Sequence, residues 1–229
     1  MSTTGNMPRN LKQEDRAQLQ AKLELGLQEM GLEILPEQKQ KLLDYVALIY
    51  KWNQVHNLTA VREPIEMVTL HILDSLSVLT HIECEHLLDV GAGAGLPSIP
   101  LAICLPQLQV TAIDAVQKKV SFMRQVKAEL GLSNFSVIHG RIEEQAVPSK
   151  EMPEKFEVII SRAFSEIALF IKLTKHLLAD GGSWLAMKGI VPEHEFKKSA
   201  IKPTEIRVLK VAGLDAERHL VVLKQELAN

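Results

Sequence analysis

The stretch His86-Leu-Leu-Asp-Val-Gly-Ala-Gly-Ala-Gly-Leu-Pro-Ser-Ile-Pro-Leu-Ala-Ile103 decides the fold. Leu87, Leu88 and Val90 form a short apolar run, the length of a buried strand. It leads into Gly91, Gly93 and Gly95, residues that accept positive φ and let a ligand come close to the backbone. Pro97 and Pro100 follow where a helix would open, a place where a missing N–H is no loss. Strand, glycine loop and helix together describe a nucleotide-type cofactor site at the carboxyl end of a parallel strand.

The spacing narrows the cofactor. Gly91-x-Gly93-x-Gly95 is not the G-x-G-x-x-G of a dinucleotide fingerprint, and no Lys-Ser/Thr follows as in a P-loop. Following Asp-Val, the turn resembles the cofactor loop of S-adenosylmethionine-dependent methyltransferases. A glycine triplet alone reads equally well as a tight turn, so the flanking pattern has to decide.

Downstream, apolar strand candidates alternate with amphipathic helices. The strands are Leu87–Val90, Val110–Ile113, Phe135–Ile138, Val158–Ile160 and Trp184–Met187. Val116, Val120, Met123, Val126 and Leu130 form a helical stripe closed by Gly131. A second helix runs from about Glu166 to Leu178, closed by Gly181-Gly182. Alternation of this kind predicts a parallel sheet with helices on both faces. Ile206, Val208 and Val211, then Leu220 to Leu223, read instead as an antiparallel strand pair at the edge. Upstream there is no strand signal. Helices are predicted from Leu11 to Gly31, from Pro36 to about Val55, and from Pro64 with Met67, Leu70, Leu73 and Leu76 turned inward. The fold class is therefore α/β, and with its glycine loop it resembles a Rossmann-like class I methyltransferase. It has a mostly parallel seven-stranded sheet, an antiparallel C-terminal strand pair and an N-terminal helical cap. Residues 1–83 form the cap and 84–229 the methyltransferase domain.

Composition sets the outer bounds. The 229 residues are 46% hydrophobic, enough for a sizeable core, yet no run of about 18 apolar residues offers a membrane span. Met1 to Arg9 is polar and unlike a signal peptide. Cys84 and Cys104 fit neither a zinc spacing nor a disulfide framework, which reads as a reduced, cytoplasmic protein. A net charge of −2 excludes a general nucleic-acid signature. Lys118, Lys119, Arg124 and Lys127 nonetheless cluster, and on charge alone they read as a solvated helix face.

Ligands in such sheets sit beyond the carboxyl ends of the strands. The second strand ends at Asp114, placed to accept hydrogen bonds from ribose hydroxyls, or else to serve as an acid at a helix N-terminus. Asp89 reads as orienting the loop amides. The third strand ends at His139-Gly-Arg-Ile-Glu143, the segment that in a methyltransferase lies over adenine. Ile142 would cover the ring and Glu143 would meet its edge, while Arg141 reads as either a site group or a surface charge. The fourth ends at Ser161-Arg-Ala-Phe164, bordering the transferred methyl, and the fifth at Lys188-Gly189. Asp/Asn-Pro-Pro-Tyr is missing after the fourth strand, and neither cysteine stands at a strand end. An acceptor that is already nucleophilic, such as guanine N7, needs neither.

Several motifs occur together in order: Lys51-Trp-Asn53, Asn57-Leu-Thr-Ala-Val-Arg62, His71-Ile-Leu-Asp-Ser75, Asp89-Val-Gly-Ala-Gly-Ala-Gly-Leu-Pro97, Ser161-Arg-Ala-Phe164, Lys188-Gly189 and Glu217-Arg-His-Leu-Val221. From about Pro36 onward the chain resembles the glucose-inhibited division protein B family, the bacterial 16S ribosomal RNA guanine-N7 methyltransferases. The resemblance implies S-adenosylmethionine as cofactor, with Gly91 and Leu96 in the loop, Ile142 and Glu143 at the adenine, and Arg162 near the methyl donor; Gly93 and Asp114 join them as cofactor candidates from the loop and strand-end reading. No catalytic base is assigned; Arg162 is a positioning candidate. Asn53, Asn57, Arg62 and His71 are implied to border the RNA-side cleft. Lys118, Lys119, Arg141, Phe164 and Lys188 are further candidates for phosphate or for a flipped guanine. Plainer readings stand beside these: Asn53 and Asn57 bonding the turn they flank, His71 as a packed neutral imidazole. Ser98 and Lys119 depart from the family pattern, and Lys119 lacks the planar fork that grips phosphate. The expected partner is 16S ribosomal RNA in the small subunit or an assembly intermediate, met by a monomer without membrane or metal. Other readings are a methyltransferase for another RNA, a small molecule or a protein, or a non-catalytic RNA-binding module.

Overall fold

Seven strands form one sheet in the order β3-β2-β1-β4-β5-β7-β6. The computed structural model describes residues 13–162, 164–199 and 201–225. The first helix start predicted at Leu11, the polar segment 1–9 and Ala163 of the fourth strand-end motif lie outside the described residues. β1 (His86–Val90) pairs in parallel with β2 (Gln109–Asp114) and with β4 (Phe156–Ser161). β3 (Phe135–His139) lies outside β2, and β5 (Leu178–Lys188) outside β4, both parallel. β7 (His219–Lys224) runs antiparallel to β5 and to β6 (Glu205–Val208). The expected C-terminal antiparallel pair is present, with the later strand on the inside.

Side chains alternate across the sheet as period-two strands require. Leu87, Val110, Val158 and Leu185 face a cluster shared with the N-terminal helices, while Leu88, Ile113, Ile159 and Trp184 face a second cluster with Phe170. The first cluster takes in α1 (Gln13–Met30) through Leu19, Leu23 and Leu27, and α2 (Pro36–His56) through Leu42, Tyr45, Val46 and Ile49. It also takes in α5 (Ser98–Cys104) and α6 (Gln117–Leu130). Cap and sheet thus share one apolar interior. α2 starts at a proline in its first turn, and Gln38 fastens it to α5, donating to Ile103 O and Cys104 O at 3.1 Å each. α7 (Ile167–Thr174) lies on the opposite face, beside α8 (Glu193–Ser199).

Three local expectations need correction. α7 ends at Thr174, and β5 already begins at Leu178. Gly181-Gly182 does not close a helix but sits in a bulge of β5, where the register against β4 shifts between Phe156 and Val158. A Cβ on Gly182 would lie 2.9 Å from Glu157 O, so the strands approach there only because the side chain is absent. Val211 lies beyond the end of β6 and is buried in the following turn. The third helix is not uniformly α-helical either. α3 (Pro64–Met67) widens into a π-helical segment, Val68–Leu73, before α4 (Asp74–Leu76). Within this segment and just after it, Leu70 is half-exposed while His71 and Asp74 are buried.

Candidate active site

The glycine loop is stitched to the neighbouring strand. Gly91 N–H and Ala92 N–H both donate to Ile113 O, at 2.9 and 3.2 Å. Gly93 N–H donates to Asp114 Oδ2 at 2.9 Å, while Val116 N–H donates to Oδ1 at 2.8 Å. Gly91, Gly93 and Gly95 have φ of 70°, 63° and 87°, a region costly for any residue with a Cβ. At Gly95 a Cβ would also strike Ile99. Leu96 contributes backbone, its N–H on Ala92 O at 3.0 Å, and buries its side chain in the core. Asp89 is fully buried behind the loop and accepts from Ser98 N–H at 3.2 Å. Burial pushes its pKa up to about 7.

A cleft of about 270 Å³ opens beside this loop. Val90, Gly91, Ile113 and Asp114 form one wall, and Gly140 to Glu143 with Phe164 form the other. Ile142 is 6% exposed and presents apolar surface. Arg141 and Glu143 stand at the mouth and pair with each other at 3.5 Å. Phe164 is seated on Phe170, ring centroids 5.1 Å apart. Lys119 lies 3.7 Å from Asp114 Oδ2, so it serves this corner, while Lys118 is exposed one residue earlier.

A second cleft, about 470 Å³, lies across the end of β4. Its centre is Asp74, 3% exposed. Asp74 Oδ2 accepts from Arg162 Nη1 at 3.1 Å, and Oδ1 from Arg218 Nε at 2.8 Å. Arg162 Nη1 also reaches Leu70 O at 3.2 Å, a carbonyl in the π-helical segment. Two guanidiniums share one carboxylate, leaving the cleft net positive. His71 lines the same wall. Its Nε2 lies 2.9 Å from Thr59 Oγ1, which already accepts from Val61 N–H. The arrangement that satisfies these groups has the Thr59 hydroxyl donating to Nε2, which puts the ring proton on Nδ1. Nδ1 is buried, with the Leu70 backbone beside it. Burial, and then the Arg162 charge, bring the His71 pKa down to about 4, so the ring is neutral near pH 7.

The remaining candidates occupy supporting positions. Asn53 is buried, donating to Val61 O at 3.0 Å and accepting from Thr59 N–H at 2.9 Å; its amide shapes the turn below the cleft. Arg62 is exposed and donates to Asn57 Oδ1 at 3.0 Å. Asn57 ends α2 in the left-handed conformation. Lys188 donates to Phe164 O and Ser165 O, at 2.9 and 2.8 Å, and lies 3.6 Å from Glu195. It ties down the loop between the clefts, and Glu195 also accepts from Ile167 N–H at 2.8 Å. Three residues to which the sequence reading gave no role are central: Asp74, Arg218 and Tyr45. The available signals were an acid on an apolar helix face and an arginine immediately before a strand.

A glycine loop, a carboxylate at the end of β2 and an adjoining cationic cleft, on a sheet with its last strand inserted antiparallel, define a class I methyltransferase fold. Solved structures share it at low identity. An S-adenosylmethionine-dependent O-methyltransferase from Thermotoga maritima matches with a TM-score of 0.53 at 15% identity, covering 73% of this chain and 72% of that one. A SAM-dependent methyltransferase from Aquifex aeolicus matches with a TM-score of 0.50 at 20% identity, covering 67% and 90%. The chain belongs to the GidB family, rRNA small subunit methyltransferase G, whose family model matches residues 38–221. The ribosomal RNA small subunit methyltransferase G of Methylobacillus flagellatus is 60% identical over 205 residues, 90% of this chain and 98% of that protein. The protein of the same description from Aromatoleum aromaticum is 47% identical over 213 residues, again 90% and 98%.

Proposed function

We infer that the protein transfers a methyl group from S-adenosylmethionine to N7 of a guanosine in 16S ribosomal RNA. One observation carries the choice of acceptor: the cationic cleft offers no free base among the described residues. Asp74 is held by Arg162 and Arg218 on its two oxygens, and His71, with a pKa of about 4, is a weak proton acceptor. A hydroxyl or exocyclic amine would need such a base; the N7 lone pair needs none.

The donor cleft fits the cofactor. Over Gly91 a Cβ would meet nothing within 4 Å, so the backbone faces open space where an adenosine would lie. A carboxylate has about four lone-pair sites; Asp114 gives one on each oxygen to a backbone amide and keeps others for ribose hydroxyls. Ile113 and Ile142 supply apolar cover for a ring. When bound, the cofactor supplies an electrophilic methyl on a sulfonium. The chain's own residues then bind and orient. The positive cleft attracts phosphate or the guanine O6/N7 edge. Phe164 is placed to cover a base. Alignment of this kind lowers a barrier by about 7–11 kcal/mol without proton transfer. Cys84 and Cys104 are unpaired, which supports the reading of a cytoplasmic protein, and the protein is proposed to work there as a monomer.

The test uses purified protein, labelled S-adenosylmethionine, and small subunits or 16S ribosomal RNA from a strain lacking the modification. Label should enter the RNA and map to 7-methylguanosine by chemical cleavage. Cofactor binding without label in RNA would overturn the assignment.

A further inference from the structure

The helical cap meets the glycine loop at one buried hydroxyl. Tyr45, midway along α2, is 0% exposed. Its hydroxyl donates to Ala94 O at 2.6 Å and lies 3.3 Å from Gly95 O. The peptide between Ala94 and Gly95 is therefore held at both ends, because Gly95 N–H donates to Ala92 O at 2.8 Å. The Tyr45 ring is set in turn by Phe122 of α6, centroids 6.3 Å apart and planes 27° from parallel. Trp52 braces Phe122 edge-on at 5.4 Å.

Left-handed glycines give this loop freedom that binding would have to remove. A buried carbonyl turned from the cleft also needs a donor. Tyr45 answers both requirements from a part of the chain outside the sheet. Burial raises its pKa well above the ordinary range, so the phenol remains a donor at every working pH.

We propose that Tyr45 is a positioning residue for the methyl donor: its hydroxyl holds the 91–95 loop in the receiving conformation before the donor arrives. The cap therefore sets donor affinity as well as bordering the acceptor cleft. This rests on the S-adenosylmethionine reading above. The contact is absent from any local pattern, since 49 positions separate Tyr45 from Ala94.

The test is Tyr45→Phe, which keeps the ring and deletes the hydroxyl, with Leu27→Ala as a cavity in the cap away from the loop. S-adenosylhomocysteine binding is measured by calorimetry at a temperature where all variants are folded. Tyr45→Phe should raise Kd about tenfold, the scale of one buried hydrogen bond. KM for S-adenosylmethionine should rise by a similar factor, with kcat and the KM for RNA within about twofold. Leu27→Ala should lower Tm and leave Kd unchanged. Phe122→Leu, which loosens the ring but spares the hydroxyl, should fall between wild type and Tyr45→Phe and serves if the latter does not fold. An unaltered Kd in the Tyr45 and Phe122 variants, or an equal rise in Leu27→Ala, overturns the proposal. A wild-type chain that binds no S-adenosylhomocysteine overturns the donor reading and this inference with it; wild-type binding with an unaffected Tyr45→Phe overturns the inference alone.

Discussion

Arg162 lines the cationic cleft and gives hydrogen bonds to both a backbone carbonyl and Asp74. Its truncation removes a fixed donor and leaves Asp74 paired on one side only. Arg162→Ala should lower kcat/KM for RNA methylation about a hundredfold, whereas Lys198→Ala, exposed on α8, should leave it within about twofold; equal losses would remove Arg162 from the site. Asp74→Ala leaves two guanidiniums facing each other and should cost about 3 kcal/mol of stability in urea unfolding. His71 adds a pH dependence. Its folded pKa of about 4 lies below the ordinary 6.5. Between those values only the unfolded chain takes up the proton, so stability falls as pH drops from 6.5 to 4, by about 3 kcal/mol at full extent. His71→Gln should lose that slope. Asp89, raised from 3.8 to about 7 by burial, acts in the opposite sense, losing stability as pH rises from about 4 to 7, and Asp89→Asn should remove that share. At this scale the sequence pointed to residues by their place at a strand end, Arg162 and Asp114 among them, and both line the clefts. Asp74 and Tyr45 escaped because their partners are distant in the chain, and Lys188 proved to be spent on backbone carbonyls.

The element that departs most from its sequence pattern is the third helix. Met67, His71 and Asp74 stand at i, i+4 and i+7, one face of a regular helix, while the threefold spacing of Met67, Leu70, Leu73 and Leu76 drifts round from that face. A π-helical turn interrupts this segment; His71 and Asp74 line the cleft wall, and Leu70 O, within the turn, accepts from Arg162. Such turns insert one residue into a helix and recur at functional sites. Deleting Thr69 should restore an α-helical turn and rotate α4 by about 100°. Helix content by circular dichroism should stay constant while methyl transfer falls about a hundredfold; retained activity would show that the altered phase is unnecessary. Strands were read more surely than helix ends. Each strand carried its own apolar run, but Gly181-Gly182 looked like a helix stop when its role is a bulge that lets β5 approach β4. Glycine marks an unusual backbone, and only the pairing partner says which kind.

For the whole molecule, the parallel sheet, its antiparallel edge and the helices before it followed from the alternation of patterns, because burial on two faces and burial on one leave different periodicities; the strand order did not. The charge balance was less informative. A chain of net charge −2 nevertheless gathers two arginines around one aspartate in its larger cleft. RNA binding should therefore weaken with salt, but gently. About four phosphate contacts would give a slope near −3 in log K against log salt, measurable by filter binding between 50 and 200 mM salt. A flat profile would argue for a small-molecule acceptor.

The placement of β7 between β5 and β6 has a consequence for synthesis. β6 leaves the ribosome first, yet its pairing partner is β7, so it must wait, unzipped, while the following segment is made. Arg218 arrives with β7, whereas the loop, Asp114 and Gly140 to Glu143 are all made earlier. A nascent chain paused before Arg218 can therefore hold the donor pocket's residues while Asp74 still lacks its second cation. Ribosome-bound intermediates of this length should be able to retain cofactor and yet be inert toward RNA, so the chemistry becomes competent only after the pocket that feeds it.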